Sequence, residues 1–266
     1  PLVGVNHLYA HLLVVGLEQI IEFPALGLLV SGGHTHIYFI RSPFEFELLG
    51  RTLDDAAGEA FDKVAKFLNL PYPGGVYIDR FAQMADPDPD LFPMPYIDND
   101  NLDFSFSGLK TFVANFLKKN DHLIFKSMDE AGPDYTPDPE LAKVCASFNF
   151  VVAQTLKIKL GRALKRVRPR SIILAGGVAA NTMIRRAIEE LSRAENLLLY
   201  VPDKEFCTDN AAMIAYYGEV LGQAGLTHGL DLEAIPRGRK IPWDYCQRQF
   251  SLSSCITEIC DGDGKN

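Results

Sequence analysis

Cysteine is scarce in this sequence and its spacing pairs none of it. The five present, Cys145, Cys207, Cys246, Cys255 and Cys260, are odd in number and form no Cys-x-x-Cys pair. That excludes a disulfide scaffold for a chain of this size and points to a reducing compartment. Positive charge is short as well: 26 Lys and Arg face 34 Asp and Glu, a net charge of −8. A polycation that wraps nucleic acid non-specifically is excluded, although a local basic patch is not. No apolar run approaches the roughly 18 residues a membrane helix needs. Glu18 and Glu22 interrupt the longest candidate, so no membrane contact is expected. The start, Pro1-Leu2-Val3-Gly4, has no charged n-region of a signal peptide. Internal repeats and long low-complexity stretches are lacking too. What is present is core material: 47% of the 266 residues are hydrophobic and 23% charged. That supports one large folded domain or two lobes.

Strand and helix patterns alternate along the chain, the mark of an α/β fold. Asn6 is placed to cap a helix from about His7 to Glu18. Residues 23–30 read as a buried strand, Ser31-Gly32-Gly33 as a turn and residues 36–40 as a second strand, together a hairpin. Residues 54–68 have helical spacing, with Ala57, Phe61, Val64, Ala65 and Leu68 on one face, and Pro73-Gly74-Gly75 breaks the helix. Residues 85–103, rich in Pro and Asp, read as an exposed loop. Helices are expected near 108–118 and 139–166. A strand at 171–175, a Gly176-Gly177 turn and a helix from Asn181 to Leu191 form a β-turn-α unit. A strand at 197–201 follows, then a helix through about Gln223 capped by Thr208 or Asp209. The end, Asp261 to Asn266, reads as disordered.

Several patterns carry chemistry, each beside a plainer reading. His7-Leu8-Tyr9-Ala10-His11 puts two imidazoles at i and i+4, on one helix face, where both reach one cation. Two ordinary histidines fit the same spacing. Leu8 stands where a zinc-protease helix needs its Glu, which disfavours that activity. Asp209 is a candidate third ligand, although an Asp at a helix start is more often a cap. Ser31-Gly32-Gly33-His34-Thr35 offers backbone N–H groups and hydroxyls to an anion, or is simply a tight turn. Gly176-Gly177-Val178-Ala179-Ala180-Asn181 ends a strand and opens a helix, a place for a phosphate or a plain connection. Asp62 and Asp79 suit ribose or base contacts, or a solvated helix face. Lys157, Lys159, Arg162, Lys165, Arg166, Arg168 and Arg170 form an acid-free basic stretch. It reads as a phosphate-tracking strip or, more readily, a solvated helix face.

Taken together, seven stretches in fixed order over about residues 5–220 resemble one family. They are Asn6-His7-Leu8-Tyr9-Ala10-His11, Leu29-Val30-Ser31-Gly32-Gly33-His34-Thr35, Asp54-Asp55-Ala56-Ala57-Gly58-Glu59-Ala60-Phe61-Asp62-Lys63, Tyr72-Pro73-Gly74-Gly75, Asp103-Phe104-Ser105-Phe106-Ser107-Gly108-Leu109-Lys110-Thr111, Gly176-Gly177-Val178-Ala179-Ala180-Asn181 and Thr208-Asp209-Asn210-Ala211-Ala212-Met213-Ile214. The family is the tRNA N6-adenosine threonylcarbamoyltransferases, called TsaD or Gcp, and Gly-Gly-His-Thr resembles its bacterial and organellar branch. The resemblance implies an α/β, actin-like, Hsp70-like ATPase (ASKHA) fold of two lobes. It implies transfer of a threonylcarbamoyl group from threonylcarbamoyl-adenylate to N6 of adenosine 37 in tRNAs reading ANN codons. His7, His11 and Asp209 become the expected ligands of one divalent metal per subunit, Fe2+ or alternatively Zn2+. Val30, Ser31, Gly32, Gly33, His34, Asp62, Gly75, Asp79 and Asn181 become the expected contacts to the adenylate, with His34 the candidate general base. The implied partners are tRNA, a TsaB-like paralogue and a TsaE-like ATPase, in the cytoplasm or, in a eukaryote, an organellar matrix.

The same resemblance divides the chain. Residues 1–22 are expected to be a remnant of the first lobe carrying the His pair. Residues 23–208 would be the second lobe, with a helical insertion at about 50–165. Residues 209–238 would be a C-terminal helix returning toward the first lobe, and 239–266 a tail. The family's N-terminal segment, with its Thr-Ser-Cys-Asp-Glu-Thr type motif, does not occur here, so the first lobe is expected to be largely missing from this chain. His36 stands where the family often has Gln or Glu. Two other classes compete. An actin-like small-molecule kinase would share the glycine turns but have no use for His7 and His11. A non-catalytic scaffold paralogue should have lost the His pair and Asp209, and this chain keeps all three.

Overall fold

Five strands form one sheet in the order β3-β2-β1-β4-β5: β1 (Ala25–Val30), β2 (Thr35–Ser42), β3 (Glu45–Arg51), β4 (Ser171–Ala175) and β5 (Leu198–Tyr200). The structure is a computed structural model that describes residues 2–132 and 135–235. The expected tail, 239–266, with Cys246, Cys255 and Cys260, lies outside the described residues. Cys145 and Cys207 are free thiols and buried. β1 pairs antiparallel with β2 and parallel with β4, and all residues of β1 and β4 are buried. That is the signature of central strands covered on both faces.

The two faces have different covers. Leu26, Leu28, Val30, Ile172 and Leu174 share a core with α2 (Ala57–Phe67), α3 (Gly74–Ala82), α5 (Pro139–Arg166) and α6 (Thr182–Ala194). Ala25, Leu29, Ile173 and Ala175 meet Leu12 and Val15, which belong to α1 (His7–Leu13) and the 3-10 turn that extends it to Leu17. α8 (Ala211–Gln223) packs on α1, Met213, Tyr217 and Leu221 against Ala10, Leu13 and Val14. α4 (Ser107–Lys119) lies against α2, and α7 (Lys204–Cys207) is a single turn before α8.

Four expectations change. β3 was not read as a strand, because it is an edge strand with mixed exposure and lacks clean alternation. Pro73-Gly74-Gly75 does not merely break a helix; it opens α3, with Pro73 at the cap position. Residues 85–103 contain no helix or strand, yet Phe92 and Leu102 are buried, so the loop is pinned rather than exposed. Asn210, not Thr208 or Asp209, caps α8, its side chain accepting from Met213 N at 2.9 Å. α5 is long and apolar enough to cross a membrane by length and composition, but 72% of that window is buried inside the protein. It is a core helix.

The basic stretch 157–170 is neither a solvated face nor an open strip. Lys159 is fully buried, and its ammonium donates to Asn99 Oδ1 at 2.7 Å and to Asn101 O and Oδ1 at 3.0 and 3.1 Å. Burial and the neighbouring Arg162 lower its pKa to about 8. Arg162 donates to the carbonyls of Asn99 and Ile97 at 2.5 and 2.7 Å, and Arg166 to that of Asp100. Lys157 pairs with Glu190 at 2.9 Å. These cations fasten the 96–101 loop to α5. Lys159→Ala leaves three acceptors without their donor, and we expect a loss of about 2–3 kcal/mol, read as a lower denaturant midpoint at unchanged slope. A shift too small to detect would show that water replaces the ammonium.

Candidate functional site

β1 and β4 run parallel, so their carboxyl ends, Val30 and Ala175, lie at one edge of the sheet. In open α/β sheets that edge is where ligands bind. Two glycine-rich segments meet there. The backbone at Gly176 has φ 92°, and a Cβ on it would lie 2.4 Å from the Val30 carbonyl oxygen. Only glycine permits both. A Cβ on Gly177 would touch Thr208 Cγ2 at 3.6 Å, so the segment leading to Asp209 sits beside this turn.

The Ser31–Thr35 turn is closed by its own groups. Ser31 N donates to His34 O at 2.8 Å, and His34 N to Ser31 Oγ at 3.1 Å. Thr35 Oγ1 accepts from Ala57 N at 2.9 Å, which docks the first turn of α2 here. Gly58 N reaches Ser31 O at 3.3 Å, and a Cβ on Gly58 would lie 2.6 Å from that oxygen. Gly32 is exposed and Gly33 half-buried, whereas the Val30 side chain is in the core, leaving only its backbone at the edge. The His34 ring stands 5.2 Å from that of His36, whose Nδ1 lies 3.2 Å from the Tyr38 hydroxyl. Burial raises the Tyr38 pKa, so its hydroxyl keeps its proton.

Asp62, Gly75, Asp79 and Asn181 gather where α2, α3 and α6 meet. Asp62 Oδ1 accepts from Gly74 N at 2.9 Å. Gly75 faces Phe61 at 3.6 Å. Asn181 caps α6, accepting from Ile184 N at 3.0 Å. The anion at the start of α6 is the protein's own: Asp79 accepts from Thr182 N at 3.2 Å and Thr182 Oγ1 at 2.9 Å. Asn149, fully buried on α5, donates to Asp79 Oδ1 at 3.0 Å. Sequence reasoning missed Asn149, Thr182 and Thr35. An Asn inside the apolar run Val144–Val152 was the available signal, because a buried amide needs a partner.

The third group is the histidine pair. Asn6 accepts from Leu8 N at 3.0 Å and fixes the start of α1. His7 and His11 then share one face, ring centroids 4.8 Å apart. Asp209, in the loop before α8, places Oδ1 2.9 Å from His11 Nε2 and 3.4 Å from His7 Nε2. His11 is buried while His7 and Asp209 are open to solvent. Burial lowers the His11 pKa against the opposing bond to Asp209. The donors fit a divalent cation: three ligand atoms lie within 4.8 Å of one another, and His11 is held neutral, as a ligand must be. His11 Nδ1 is buried without a partner among the described residues, so Nε2 alone serves the cluster.

Glycine turns at the carboxyl ends of a mixed sheet, beside a His-His-Asp cluster, define a ligand-binding α/β protein of the actin-like ATPase class. The fold resembles that of T. kodakarensis HypF in its crystal structure, with TM-score 0.58 and 15% identity over 85% of this chain and 37% of that one. The chain belongs to the TsaD family, tRNA N6-adenosine threonylcarbamoyltransferase, whose model matches residues 1–216. Proteins of that name from Nitratidesulfovibrio vulgaris strain Hildenborough and Maridesulfovibrio salexigens are 59% and 56% identical to it. The matches cover 93% and 92% of this chain and 70% of each relative.

Gly58→Ala should force α2 away from Ser31. We expect a loss of about 1–3 kcal/mol, measured by thermal melting, with a cooperative transition retained. An unchanged melt would mean that the turn yields freely.

Proposed function

We propose that this chain carries the transferase chemistry of its family: threonylcarbamoyl moves from threonylcarbamoyl-adenylate to N6 of adenosine 37 in tRNAs reading ANN codons. The observation that carries this reading is the convergence of His7, His11 and Asp209 beside the glycine turns. A phosphoryl-transferring kinase has no use for that cluster, and a scaffold has no reason to keep it. Membership of the TsaD family supports the substrates, and it supports a cytoplasmic setting.

The N6 amine is a weak nucleophile, because its lone pair is delocalised into the ring. In the transfer a C–N bond forms at the carbamoyl carbon, the bond to the phosphate oxygen breaks, AMP leaves, and N6 loses a proton. The Ser31–His34 turn and the Asn181 cap hold the adenylate, with Asp62, Gly75 and Asp79 on its nucleoside side. His34 takes the proton. A divalent cation on His7, His11 and Asp209, Fe2+ by preference and Zn2+ otherwise, supplies Lewis acidity at the carbamoyl oxygen. A TsaB-like paralogue and a TsaE-like ATPase complete the assembly. Residues 1–22 belong to the first lobe, 23–208 to the second with its helical insertion, and 209–238 return to the first.

His7→Ala and His11→Ala should each lower bound metal about tenfold or more, assayed by elemental analysis, and lose transfer of labelled threonylcarbamoyl to tRNA. Chelation should do the same and divalent metal should reverse it. Full transfer by a variant shown to be metal-free would refute the metal's role.

A further inference from the structure

Residues 107–126 carry four lysines, Lys110, Lys118, Lys119 and Lys126, against one acid, Asp121. The whole chain has a net charge of −8, so this is a local reversal of sign. On α4 the buried ridge is Leu109, Val113 and Leu117. The opposite, exposed ridge is Gly108, Thr111, Asn115, Lys118 and Lys119, with no acid in it.

α2 runs alongside in the same direction. Both helices start at Asp54 and Asp55. Asp54 Oδ1 accepts from Phe106 N and Ser107 N at 2.9 and 3.3 Å, which caps α4. Asp55, almost buried, binds Lys63 of α2 at 2.6 Å and Lys110 of α4 at 2.8 Å. At the far end Phe125 N donates to Leu68 O at 3.1 Å, and Asn69 Nδ2 to Phe125 O at 2.9 Å. Lys66, Lys118, Lys119 and Lys126 therefore emerge together at the far end. All four are exposed and make no ion pair among the described residues. Exposed rings stand beside them, Phe67 on α2 and Phe112 on α4.

The near end of this face touches the Ser31–Thr35 turn through Ala57 and Gly58. The far end lies roughly 16–20 Å away, the length of 11 to 13 helical residues. We propose that the α2–α4 face is the docking surface for the phosphate backbone of the RNA substrate, leading its reactive base to the Ser31–His34 turn. This rests on the transferase reading above. Unpaired lysines act as point charges that give affinity and register without reading sequence. The two rings suit unstacked bases of a loop. The other basic stretch is committed to the 96–101 loop and serves as the control.

The test is the salt dependence of binding to an unmodified tRNA transcript. The variants are K66E/K118E/K119E, its neutral counterpart K66Q/K118Q/K119Q, and the control K165E/R168E. The glutamate triple should bind about tenfold or more weakly at physiological salt, and both triples should lower the log–log salt slope by about three. ATP binding and melting temperature should not change, and the control should behave as the parent. A triple variant with the parent's slope overturns the face and leaves the transferase reading standing. Failure of the parent itself to bind tRNA at low salt overturns both.

Discussion

Two backbone segments close on the end of β1, and neither approach tolerates a side chain. Gly176 stands against the Val30 carbonyl and Gly58 against that of Ser31. Through the first, the start of α6 and the segment before Asp209 are set relative to the sheet. Through the second, α2 is set, and with it α3 and α4. The substrate turn, the Asp79 clasp and the histidine cluster keep their relative positions because these approaches fix the elements that carry them. A packing defect at either glycine would be felt in all three.

Carboxylates and amides then finish the helix starts. Asp54 serves α4, Asp62 meets the first N–H of α3, Asp138 caps α5 and Asp79 binds the start of α6. Each satisfies donors that a helix leaves open and places negative charge at the positive end of its dipole. Part of the acid excess of this chain is thus structural. Basic residues do the complementary task on α5, where Lys159, Arg162 and Arg166 take up carbonyl and amide oxygens of a loop that has no secondary structure of its own.

Central strands, long helices and the caps Asn6 and Asn181 were legible because burial and periodicity leave local marks. The His-x-x-x-His spacing was legible for the same reason, since a helix dictates which residues share a face. The role of Asp209 was not, because its nearness to His11 depends on a contact 198 residues apart in sequence. Its reading as a cap was overturned by Asn210, the next residue, which takes that role. The fate of residues 157–170 was hidden likewise: whether a lysine is solvated depends on the loop that returns to cover it. β3 escaped notice because an edge strand open on one side has little reason to alternate.

The pairing of α1 with α8 has a consequence for the order of folding. These helices lie near opposite ends of the described chain, so their contact closes the longest loop in the molecule and is entropically the most demanding. Local helices and the β1–β2 hairpin form before such long-range contacts. His7 and His11 therefore meet Asp209 only after the sheet and its helical cover are in place. The three donors are scattered in every incomplete form of the chain, which makes their assembly a report of finished folding and keeps partly folded molecules from capturing metal.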